Sequence, residues 1–141
     1  MDWQDKLTNA GYRISQPRCI VMEVLSSAKV PLAPLAVLKR AQSASLCLGM
    51  VSVYRTLDLL TKLGLVTLVH LEDGSQGYVL ASAGHHHHIV CRSCEQVFEF
   101  SGTEDLDELI SRVQQETGFE VSDHLLQLYG LCPACQKAQK G

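Results

Sequence analysis

A chain of 141 residues, 46% hydrophobic and with a net charge of −3, has room for one ordinary domain or two small ones. No uncharged apolar run approaches the ~20 residues of a membrane span, and MDWQDKLTN lacks the basic start and apolar centre of a signal peptide; we expect no membrane partner and a cytoplasmic address. Charge divides unevenly, with eight Lys/Arg against four Asp/Glu through Val66, a net +4, and four against eleven beyond it, a net −7. The basic half suits phosphate, and the acidic half, which holds nearly all the His and Cys, suits cations.

WQDKLTNAG reads as a helix stopped by Gly11, and QPRCIVMEVLSS as a second with Pro17 near its first turn and Ile20, Val21, Val24 and Leu25 on one face. APLAVLKRAQ makes a third. MVSVYRTLDLLTKLG makes a fourth, with Val53, Leu57, Leu60 and Leu63 in one apolar arc, Gly64 as its stop, and Val51, Tyr54, Arg55, Asp58, Thr61 and Lys62 opposite. LVTLVHLEDGSQGYVLA is a hairpin around Asp73-Gly74. This order is that of a winged helix-turn-helix. A small α+β domain without a nucleic-acid role shares the pattern, and the +4 charge favours DNA.

Composition changes at ASAGHHHH, placing a hinge at residues 82–85 between units 1–81 and 86–141. In the second unit HHIVC and QVFEF are strand-like. TEDLDELISRVQQETG is expected to bury Leu106, Leu109, Ile110 and Val113 on one helix face, and HLLQLYGLC to form a last strand opened by His124. The expected fold class is therefore α+β.

Cys91 and Cys94 form CRSC and, 37 residues on, Cys132 and Cys135 form CPAC. Two turns that each present two thiolates close a tetrahedral zinc site with no open position for chemistry. A redox CxxC fits poorly, because there are two pairs and neither is expected to open a helix after a strand. Cys19 and Cys47 are left over and read as small apolar residues.

Four consecutive histidines cannot all turn to one ion from an extended backbone, since side chains alternate faces. His86 and His88 face one way, His85 and His87 the other. If HHIVC and QVFEF pair as an antiparallel hairpin around the RSCE turn, Cys91 opposes Gln96 and Glu99 falls beside His88. For the other face Asp107, Glu108 and His124 are all available. A catalytic zinc would need a water-activating base, and the HExxH and HxE…PCxxC patterns are absent, so neither an enzyme nor a small-molecule substrate is expected. A metal-storage or delivery protein is a further class, though it would have no use for the basic helical half.

The segments LTNAGYRISQPR, VSVYRTLDLLTKLGLV, HHHHIVCRSC and HLLQLYGLCPAC, which span nearly the whole chain, resemble the Fur superfamily of bacterial metal-responsive transcription regulators. The resemblance implies an N-terminal winged helix, a small α/β dimerisation domain, and a homodimer on a palindromic double-stranded DNA operator. It places Ser52, Tyr54 and Arg55 on the recognition helix and Arg13 toward the adjacent groove, and arginine suits either guanine or phosphate. HHHH looks like the zinc-uptake branch (Zur), since iron- and peroxide-responsive relatives usually carry aspartate where His87 stands.

That branch implies a repressor of zinc-uptake genes with one structural and one or two regulatory Zn²⁺ per subunit. The implied sensory ligands are His70, His86, His88 and Glu99, and the implied second regulatory ligands are His85, His87, Asp107 and His124. Two departures stand out: Leu80 and Ala81 occupy the region where many zinc-uptake regulators supply a cysteine, and Val79 replaces a glutamate of iron-type relatives. Cys47 is an outside candidate for the missing ligand. The alternative is a Fur-family regulator of iron, manganese, nickel or peroxide.

Overall fold

The computed structural model describes residues 2–44, 47–82, 86–101 and 105–140. His85 and hinge residues 83 and 84 lie outside the described residues.

The first helix, α1 (Trp3–Asn9), starts where the Asp2 carboxylate accepts the Asp5 N–H at 3.0 Å, and the chain leaves it through Gly11 at φ +89°. Helix α2 (Gln16–Ser27) carries proline in its first turn and buries Ile20, Val21, Met22, Val24 and Leu25. Helices α3 (Pro34–Ser43) and α4 (Met50–Lys62) pack on it and on each other. The apolar arc of α4 is as the periodicity requires, with Val53, Leu57 and Leu60 fully buried, while Val51, Tyr54, Arg55, Asp58, Thr61 and Lys62 are exposed.

Strands β1 (Val66–His70) and β2 (Gln76–Leu80) form the expected antiparallel hairpin, from Val66↔Leu80 to His70↔Gln76. Its turn is fixed by the Asp73 carboxylate, which accepts from the Ser75 hydroxyl at 2.6 Å and the Ser75 N–H at 2.9 Å; these bonds hold its pKa below the usual value. Leu32 bridges to Tyr78 on the outer edge, its N–H donating to Tyr78 O at 3.1 Å and its carbonyl accepting at 2.8 Å. The crossing is so close that a Cβ on Gly77 would stand 2.6 Å from Pro31 Cβ. Together these elements form a winged helix around one hydrophobic cluster reaching from Leu7 to Val66.

The second sheet has the order β4-β3-β5, built from β3 (His86–Cys91), β4 (Val97–Ser101) and β5 (Gln127–Gly130). β4 is antiparallel to β3, with His88↔Glu99 opposed and the Cys91 N–H donating to Gln96 O, the register read from the sequence. β5 runs parallel to β3, pairing His88 with Gln127 and Cys91 with Gly130. Helices α5 (Asp105–Thr117) and α6 (Pro133–Lys140) complete the chain, a mixed α+β fold overall. Among the described residues no helix is long and apolar enough to cross a membrane.

Three expectations need correction. On α5, Leu109 and Val113 are 44% and 36% exposed and Leu106 and Ile110 only half-buried, because amphipathic spacing asks for an apolar partner without requiring one in the same chain. The last strand covers only Gln127–Gly130, so His124 precedes it rather than opening it. Finally, CPAC does open a helix after a strand: Cys132 directly precedes α6, whose first residue, Pro133, suits a helix start. What disfavours a redox pair is that the two CxxC pairs lie together in one cluster of four thiols.

Candidate metal centres and nucleic-acid face

The sulfur atoms of Cys91, Cys94, Cys132 and Cys135 all lie within 4.8 Å of one another. Cys94 Sγ and Cys132 Sγ are 3.9 Å apart, against an edge of about 3.8 Å for a tetrahedron with metal–sulfur bonds near 2.3 Å. Two local devices build the cluster: Glu95 takes φ +64° to close the CRSC turn, and parallel pairing of β5 with β3 delivers the CPAC turn beside it. The backbone N–H groups of Cys94 and Cys132 lower the Cys91 thiol to about 6.

Cys94 and Cys135 are harder to ionise. At Cys94 the Gln96 N–H favours the thiolate, but burial and the Cys91 sulfur outweigh it and raise the pKa; Cys135 is pushed up to about 12, foremost by Cys132. Cys94 and Cys135 thus resist ionisation unless a cation enters, and four gathered thiols are a donor set that a thiolate-binding divalent ion fits.

The histidine strand presents two faces. On one, His88 Nε2 is buried without a hydrogen bond and lies 3.5 Å from Glu99 Oε1, while His86 Nδ1 stands 4.0 Å from Glu99 Oε2. Burial alone would raise the Glu99 pKa. Bonds from Ser82, whose N–H donates to Oε1 at 2.9 Å, together with His88 and His86, outweigh burial and hold it below the usual carboxylate range. On the other face the His87 ring is 5.4 Å from that of His124 and 5.7 Å from Phe100.

Among the described residues the four thiols form the one group of three or more such donors gathered within 4.8 Å. His70 is not brought in with His86, His88 and Glu99; its Nδ1 lies 3.3 Å from Gln76 Nε2. Asp107 is exposed on α5 and is not gathered with His87 and His124, and Cys47 is exposed ahead of α4. Three polar residues that the sequence reading did not single out tie the wing region to the second sheet: Gln127 and Tyr129 bond the His70 backbone, and Ser82 bonds Glu99. The parallel β3–β5 register that puts Gln127 next to His88 has no local signal in the sequence.

On the winged helix, Tyr54 is 50% exposed and Arg55 lies beside it, with Ser52 half-buried on the same helix. Arg13 is exposed, and its carbonyl accepts from Arg18 Nη1 at 2.6 Å, while the Arg18 guanidinium sits 5.5 Å from the Tyr12 ring. A helix face exposing Arg55 and Lys62, with Arg13 exposed on a loop, is suited to a phosphate-lined groove.

The model of the ferric uptake regulator family matches residues 9–129. The chain belongs to that family. Its members regulate transcription in response to metals and are not enzymes. The ferric uptake regulation protein of Legionella pneumophila is 33% identical over 141 residues, covering 96% of this chain and all of its own. Among solved structures, the Vibrio cholerae ferric uptake regulator aligns at 28% identity with a TM-score of 0.60, over 93% of this chain and all of its own. A zinc uptake regulator complexed with zinc and DNA aligns with a TM-score of 0.80 at 22% identity, over 97% of this chain and 92% of its own, a likeness of fold.

Proposed function

We propose that the protein is a zinc-responsive repressor of zinc-uptake genes, acting in the cytoplasm as a homodimer on a palindromic operator. The observation that carries the reading is the two-faced histidine strand, with His86 and His88 directed at Glu99 on one face and His87 beside His124 on the other. The run of imidazole donors on β3 leans toward zinc over iron or manganese, although histidine also serves iron and nickel. The relatives named for iron uptake, at 33% identity or less, share the fold and the family without fixing the ion.

In this reading the chain divides into a DNA-binding unit, 1–81, and a dimerisation unit, 86–141. Cys91, Cys94, Cys132 and Cys135 hold a structural Zn²⁺. His86, His88 and Glu99, joined by His70 from the wing, hold the sensory Zn²⁺, and His87, His124, Asp107 and His85 a second regulatory one. An ion bound in the sensory centre supplies cross-linking free energy between wing and sheet, which favours whichever arrangement binds it more tightly. Linkage then requires DNA to raise metal affinity by the factor by which metal raises DNA affinity.

The remaining work falls to the chain's own residues. Arg55 and Tyr54 meet the major groove, Ser52 and Arg13 steady the helix against the backbone, and the exposed apolar residues Leu109, Val113 and Leu128 cover one another across the dimer. Titration of the purified chain with Zn²⁺, Fe²⁺ and Mn²⁺ against a palindromic duplex tests the proposal. Zinc-dependent, salt-sensitive binding supports it, and equal or better response to iron assigns the chain to the iron branch instead.

A further inference from the structure

We propose that Gln127 is a positioning residue for the sensory centre: its side-chain amide fixes the His70 backbone and so sets where the wing stands over the second sheet. The inference rests on the assignment of His70, His86, His88 and Glu99 as that centre. Gln127 is the β5 partner of His88, so the two side chains share a sheet face. From that face Gln127 Oε1 accepts the His70 N–H at 3.1 Å, and Gln127 Nε2 donates to the His70 carbonyl. The Tyr129 hydroxyl, which accepts from Gln127 Nε2 at 2.9 Å, donates to the same carbonyl at 2.8 Å.

A primary amide carries the donor and acceptor of a peptide group. Gln127 therefore satisfies both main-chain groups of the last residue of β1, as a neighbouring strand would. Neutral bonds exchanged for water stabilise a fold little, and Gln127 is only half-buried, so the clamp contributes direction more than stability. The direction matters because it joins residues 57 positions apart: the wing that carries His70 and the strand next to His88. Holding the backbone in place beforehand removes part of the ordering cost that metal binding otherwise bears.

The test uses the 141-residue chain with its thiol centre loaded, comparing wild type with Gln127→Met, which keeps side-chain length and loses the amide, and Tyr129→Phe, which loses only the hydroxyl. Zinc affinity beyond the first equivalent is expected to fall about tenfold in Gln127→Met, in the range of outer-shell substitutions at metal sites, and less in Tyr129→Phe. Hydrogen exchange of the His70 amide, followed by NMR with only the thiol centre filled, is expected to accelerate in Gln127→Met and to stay at the wild-type rate in Tyr129→Phe, because only Gln127 bonds that N–H. Wild-type zinc affinity in Gln127→Met, or unchanged His70 exchange, overturns the assignment. A wild-type chain that binds no zinc beyond its thiol centre removes the sensory reading itself, and this inference with it.

Discussion

His88 and Glu99 face each other across β3 and β4, with Nε2 of the one 3.5 Å from Oε1 of the other. The imidazole is buried and the carboxylate is held by Ser82, so the pair connects a candidate ligand strand to the segment that leads back to the wing. His88→Ala should leave a folded, dimeric chain that retains one zinc in its thiol centre. Zinc should enhance its operator affinity at least tenfold less than in the wild type. Native mass spectrometry and fluorescence anisotropy on one sample check both halves.

Cys91→Ser should act differently, because backbone N–H groups of Cys94, Cys132 and Ser93 already favour the Cys91 thiolate. Beyond Leu80 the buried apolar residues among those described are only Val90 and Cys91, too few for a self-sufficient core. Loss of the ion should therefore melt the β3–β5 sheet while the winged helix around Leu57 and Val21 persists. Zinc content and residue-resolved hydrogen exchange would reveal it; protected β3 amides in a zinc-free variant would contradict the structural role.

Arg55→Ala should weaken operator binding by about 1–3 kcal/mol if the guanidinium reads a base, with specificity relaxed at one position of each half-site. If it meets phosphate instead, binding should weaken uniformly and the salt slope should drop by about one. Metal content should not change in either case.

The exposed apolar face of the second unit predicts a self-association surface. Leu109→Glu, placed where the leucine is 44% exposed, should raise the dimer dissociation constant by tenfold or more without altering the isolated chain's helix content. Sedimentation across a concentration series measures it, and an unchanged dimer would remove α5 from the interface.

Gly77→Ala should destabilise the wing by about 1–3 kcal/mol, because the new methyl would overlap Pro31, whose Cβ and carbonyl carbon lie 2.6 Å and 2.8 Å away. Urea unfolding of the zinc-loaded chain reads this effect, which should appear in the winged-helix transition.

Much of this was legible in the sequence where the signal is local. The apolar arc of α4 predicts the burial of Val53, Leu57 and Leu60, and the RSCE turn predicts the opposition of His88 and Glu99. Elements whose partners lie far along the chain were not. The parallel pairing of β5 with β3, which places Gln127 beside His88, depends on long-range contacts, and α6 was missed because CPAC reads first as a metal knuckle. For α5, periodicity identified the apolar face but not its partner.

The central claim, that metal bound between wing and sheet creates DNA affinity, is tested most directly by a zinc titration read simultaneously by native mass and by operator binding. The account predicts that the first equivalent per chain fills the thiol centre with little gain in affinity, and that the second raises affinity at least tenfold. Full operator affinity at one zinc per chain, or none at any loading, would contradict it.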